Sequence, residues 1–200
     1  MRKIFFTLSV ALLCCTALMA QKKRWGHFGL LSGMNFSTFR LHGNLTESTD
    51  ASWKTGFVVG MFDKIPIGKG FSVQPEFLYS SMGGNFDARV GGLDHYRLNY
   101  FSIPVLLKYN FLKNWSALFG PQFDLLIQAK KLDNTGGVNK VTSDFKDYNF
   151  LFTAGIEGWA NKTIVFSGRY MYGFQAVYGS TTTPEFHNHG VQFTIGFQLQ

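Results

Sequence analysis

Cysteine is almost missing from this chain. Among 200 residues only Cys14 and Cys15 carry a thiol, and both fall in a leading segment with the pattern of an export signal: Arg2 and Lys3 are basic, residues 4–18 are apolar, and Ala20 is small. That apolar stretch is short against the ~20 residues a membrane helix needs. Leu12 and Leu13 stand where a lipidated cysteine would want a small neighbour. Residues 1–20 are therefore expected to leave as a signal peptide, and residues 21–200 to form one domain without disulfides or thiolate chemistry.

Other lacks narrow the function. After the signal no apolar run is long enough for a membrane helix, and neither helix caps nor three-to-four spacing of apolar residues appears. Acidic residues are outnumbered, 12 against 19 basic ones, for a net charge of +7 that falls to +5 without Arg2 and Lys3. An exported chain rarely meets nucleic acid, so no nucleic-acid partner is expected, and Lys22, Lys23 and Arg24 read as a solvated run. Gly83-Gly84, Gly91-Gly92 and Gly136-Gly137 precede no helix, so no phosphate cradle and no cofactor is expected.

What is abundant is aromatic and period-two. The chain holds 22 Phe and 22 Gly, well above the ~7% glycine of ordinary soluble domains. Its end reads HGVQFTIGFQLQ, with Val191, Phe193, Ile195, Phe197 and Leu199 on one face and Gln192, Thr194, Gly196, Gln198 and Gln200 on the other. The same alternation recurs in Phe71/Val73/Phe77/Tyr79, in Phe101/Ile103/Val105/Leu107 and in Ala117/Phe119/Phe123/Leu125/Ile127. It returns in Tyr148/Phe150/Phe152/Ala154/Ile156 and in Ile164/Phe166/Tyr170/Tyr172/Phe174/Tyr178. Two Gly-rich stretches, 27–39 and 53–63, complete eight candidate strands.

The links between these strands alternate in length. Residues 63–70, 110–114 and 160–162 are short links, whereas 40–52, 83–95, 131–147 and 179–188 are long. Tight turns at the periplasmic end and larger loops outside are the mark of an all-β, eight-stranded antiparallel up-and-down transmembrane β-barrel.

Charge then decides which face is wet. Lys108 and Arg169 lie mid-strand, and each would cost ~2–4 kcal/mol facing lipid at the bilayer centre, against a total stability of ~5–15 kcal/mol. Both are expected inside, with Glu76, Asp124 and Glu157, which share the parity of the polar faces. Eight strands leave an interior just wide enough for side chains to fill. These five residues are thus expected to form a barrel-interior polar network, a structural plug rather than a proton or ion path. Trp25 and Trp115 are expected at the periplasmic rim, and Trp53, Tyr79, Tyr148 and Tyr178 at the outer one.

Catalysis and metal binding are not expected. Ser180, His187, His189, Asp144 and Asp147 fall in or beside predicted outer loops, but no nucleophile motif surrounds Ser180 and two histidines lack a third ligand.

Gly33-Met34-Asn35-Phe36-Ser37, the run Tyr100-Phe101-Ser102-Ile103-Pro104-Val105-Leu106-Leu107-Lys108-Tyr109, Gly120-Pro121-Gln122-Phe123 and Gly168-Arg169-Tyr170 resemble the PorT-like outer-membrane β-barrel family, in order and over nearly the whole mature chain. The resemblance implies an eight-stranded barrel in the outer membrane of a Gram-negative envelope. Some relatives serve the type IX secretion machinery and most have no assigned activity. The expected function is a non-catalytic envelope component that contacts outer-membrane lipid and binds other envelope or secretion proteins through its long outer loops. A small porin and a soluble lipocalin-like ligand-binding barrel are the alternatives.

Overall fold

Backbone polar groups inside a bilayer must all be satisfied by the protein, and strands can do this only by closing on themselves. The computed structural model describes residues 27–42, 51–88, 92–132, 138–142, 145–178 and 185–199. The expected signal peptide, residues 1–20, lies outside them, as do Trp25, Asp144 and Ser180. Ten strands are present in that set: β1 (His27–His42), β2 (Ala51–Ser52), β3 (Lys54–Gly68), β4 (Phe71–Ala88), β5 (Gly92–Leu112), β6 (Trp115–Leu132), β7 (Val138–Lys140), β8 (Tyr148–Trp159), β9 (Ile164–Tyr178) and β10 (Glu185–Gln198). Eight of them, β1, β3, β4, β5, β6, β8, β9 and β10, pair antiparallel with their neighbours, and β1 closes on β10 from Gly29↔Gln198 to His42↔Glu185. This is a closed eight-stranded antiparallel barrel.

The alternation read from the sequence sorts the two faces. Leu30, Met34, Phe57, Val59, Phe77, Val105, Phe119, Phe152, Phe166, Phe193 and Ile195 all point outward and lie exposed, while Asn35, Ser72, Gln74, Ser80, Gln122, Thr153, Gln192 and Thr194 are buried inside. Such an arrangement is the reverse of a lipocalin's, whose polar side meets water. The lumen is not wholly polar, however. Leu31, Val58, Phe62, Leu78 and Val165 form one apolar cluster inside it, and Met82, Leu98, Tyr100, Ala129, Leu151 and Met171 belong to another nearer the outer loops.

Turn chemistry accounts for the tight end. Gly68, Lys69 and Gly70 all have positive φ (111°, 52° and 82°), which the two glycines adopt without steric cost. Asn161 Oδ1 accepts from the backbone N–H groups of Thr163 and Ile164 at 2.8 and 2.7 Å, tying off the β8–β9 turn. Trp115 opens β6 at this end. Tyr79 stacks on Phe57 (5.6 Å) and Tyr148 on Phe123 (6.3 Å), as aromatic rings on neighbouring strands do.

The outer ends differ from expectation. Residues 83–88 and 92–95 are strand rather than loop, β1 runs to His42, Ala51–Ser52 pairs with β4, and β10 already begins at Glu185. Outward positions no longer need to be apolar once a strand rises clear of lipid, so the alternation lapses while the hydrogen-bond ladder continues.

Candidate functional site

Lumen-facing positions on four strands bring most of the expected charges together, although they lie far apart in sequence. On β4 and β9, which are not neighbours, Arg169 donates from Nη1 to Glu76 Oε2 at 2.6 Å and from Nη2 to Glu76 Oε1 at 2.9 Å. This is the bidentate geometry that suits a guanidinium to a carboxylate. Lys108 on β5 donates to Glu157 on β8, forming a second ion pair. Both pairs are buried.

Gln74 links the two. Its Oε1 accepts from Lys108 Nζ at 3.2 Å, and its Nε2 donates to Glu76 Oε1 at 2.8 Å. Arg169 Nε continues the chain to Ser167 Oγ at 3.1 Å, and that hydroxyl lies 2.6 Å from Thr194 Oγ1. The connected path therefore runs Glu157, Lys108, Gln74, Glu76, Arg169, Ser167, Thr194. Burying charges is tolerated when they are paired and hydrogen-bonded, and Gln74 and Ser167 add hydrogen bonds to both pairs.

Asp124 stands apart from this network. Its Oδ1 accepts from Gln122 Nε2 at 2.9 Å, and Gln122 in turn accepts from Thr153 Oγ1 at 2.8 Å. No cation pairs with it among the described residues. Side by side across β5, β6 and β8 lie Ser102, Asp124 and Asn149, all buried. The Asn149 amide makes no hydrogen bond to a described residue. A single network of five charges thus resolves into two joined ion pairs and one separate acid.

Two aromatic residues that sequence reasoning missed lie toward the two ends of the lumen. Trp159 receives the ammonium groups of Lys64 and Lys108 over its ring at 5.0 and 5.1 Å. Its parity, two residues after Glu157, was the available signal. Phe145, from the long link 131–147, is buried among Met82, Leu98, Tyr100, Leu151 and Met171, with its ring 5.7 Å from that of Tyr96. Among the described residues of this link, Val141 N donates to Ala129 O (3.1 Å), Thr142 Oγ1 accepts from Ala129 N (3.0 Å), and β7 pairs with β6.

The histidines weighed as ligands sit on β10, where His189 meets the Trp53 ring edge-on at 5.9 Å. No three His, Cys, Asp or Glu side chains gather in a metal-binding group among the described residues.

A family model described as outer membrane protein beta-barrel domain matches residues 19–179. Neisserial surface protein A superposes with a TM-score of 0.56 over 86% of this chain and 97% of its own, at 9% identity. Ail, the attachment invasion locus protein of Yersinia pestis, superposes with a TM-score of 0.50 over 87% and 99%, at 14% identity. No curated protein matches the sequence. At such identities the likeness is one of fold.

Proposed function

This chain belongs to the outer membrane protein β-barrel domain family and resides in the outer membrane, and we propose that it is a non-catalytic barrel that binds another envelope or secretion component through its outer loops. One observation carries the reading. The lumen is crossed by two buried ion pairs joined through Gln74 and is capped on the outer side by Phe145. A filled cylinder leaves its ends as the surfaces free to act.

Membership of the PorT-like group, and with it a place beside the type IX secretion machinery, is a finer reading. It is supported by the residue stretches around Tyr100–Tyr109, Gly120–Phe123 and Gly168–Tyr170. Excising the whole 131–147 link would also remove Phe145, so the informative variant replaces residues 133–137 with a short Gly-Ser linker. Tagged wild type and variant are purified from outer membranes and co-purifying proteins identified by mass spectrometry. Loss of a specific partner with heat-modifiable gel migration intact is the expected outcome, and unchanged capture would count against this loop. A small channel is the competing reading, and sustained single-channel conductance of the purified barrel in a planar bilayer would favour it.

A further inference from the structure

The short turns gather positive charge at one mouth of the barrel. A cavity of about 810 Å³ there is lined by Lys64, Lys113 and Lys162, with amide side chains between them and no carboxylate among the described residues. Lys64 is already engaged with the Trp159 ring. Lys113 and Lys162 remain exposed on two turns, β5–β6 and β8–β9, that are held together by Trp159 N donating to Asn114 O at 2.8 Å.

A second hollow begins at those same turns and runs along the outer wall. It measures about 440 Å³ and shares Asn114 and Trp159 with the first. Gly158 and Gly168 occupy outward positions on β8 and β9, and Trp115, Ile156, Phe166 and Phe193 stand around them to form the walls of the hollow. Only a flexible apolar chain fits a groove on a lipid-facing wall. The lysines above it call for an anion at the height where headgroups lie, on the periplasmic side to which short turns belong.

We propose that Lys113, Lys162 and the Gly158–Gly168 groove together form a site for one anionic phospholipid of the inner leaflet, the phosphate at the two lysines and an acyl chain in the groove. Each lysine near a membrane surface strengthens attraction to anionic lipid by about fivefold, the equivalent of ~1 kcal/mol. The pair therefore accounts for a preference of roughly 25-fold over a neutral lipid with the same chains.

The test is native mass spectrometry of the intact detergent-purified barrel titrated with phosphatidylglycerol or phosphatidylcholine of matched chains. Wild type is expected to retain phosphatidylglycerol preferentially. Lys113→Gln with Lys162→Gln should abolish the preference while leaving weak binding of both lipids. Gly168→Leu, whose Cβ meets the Phe193 ring at an ordinary 3.4 Å, should fill the groove and weaken retention of both lipids alike. Heat-modifiable migration confirms that each variant is folded. Equal retention of the two lipids by wild type, or an unchanged preference in the double variant, overturns the proposal. So does displacement of phosphatidylglycerol by inorganic phosphate together with equal binding of glycerophosphate, which would mark a site for free anions instead.

Discussion

Replacing Glu76 by Gln keeps the volume of the side chain and removes its charge. Arg169 would then be a buried cation, 3% exposed, whose bidentate partner offers one neutral oxygen. Breaking a buried pair from one side costs about 3–5 kcal/mol, because the remaining charge has lost water as well as its counterion. Set against a total of ~5–15 kcal/mol, that is a third or more of a modest barrel's stability. The measurement is urea unfolding in lipid vesicles, followed by tryptophan fluorescence, with Glu76→Gln, Arg169→Met and the double variant side by side. The single variants are expected to shift the folded-to-unfolded ratio by between two and four powers of ten, and the double variant to recover most of that, since methionine beside a neutral glutamine leaves no charge unpaired. A double variant no more stable than either single one would refute the argument. So would a Glu76→Gln barrel that unfolds at the wild-type urea concentration.

Asp124→Asn provides the contrast, because its acceptor role toward Gln122 survives and no cation among the described residues depends on it; its unfolding free energy should change by less than ~1 kcal/mol in the same assay. Val105→Lys places an ammonium on an outward mid-strand position and should cost ~2–4 kcal/mol in vesicles. In detergent micelles, which admit more water, the cost should shrink. Gly83→Ala meets both a positive φ of 149° and the Tyr96 carbonyl oxygen, at a residue whose N–H and C=O are both bonded to Ser37 Oγ. A loss of about 1–3 kcal/mol, read as earlier loss of the compact heat-modifiable band, is the expected result.

Much of this molecule was legible because a bilayer imposes a simple rule on each strand. Phe101, Ile103 and Val105 against Ser102, Pro104 and Lys108 are enough to fix which side faces lipid. Pairing inside the lumen was not legible, since Glu76 and Arg169 are 93 residues apart on strands that do not pair, and only closure of the ring brings them face to face. For the same reason nothing in the sequence told that Asp124 would find no cation among the described residues. Strand ends were misplaced where lipid stops exerting its demand, as at 85–88 and 92–95. Phe145 was hidden for the opposite reason: a lone ring in a polar link carries no period, and its burial follows from the link folding back on Ala129.

The ions raise a further question, because apolar residues of the same volume would fill the lumen as well and often more stably. Register supplies the answer. Side chains alternate along every strand, so a slip of one residue in the pairing of β9 would turn all of its inward positions outward. An apolar lumen would punish such a slip weakly, for leucine and phenylalanine sit as readily against acyl chains as against each other. With Arg169 in place, the slipped barrel would present a guanidinium to lipid at ~2–4 kcal/mol and strand Glu76 unpaired at about 3–5 kcal/mol more. Lys108 and Glu157 impose the same condition on β5 and β8. Two charge pairs on four different strands therefore discriminate among closures that hydrophobicity alone would leave nearly equal, and joining them through Gln74 makes the penalty common to both halves of the ring.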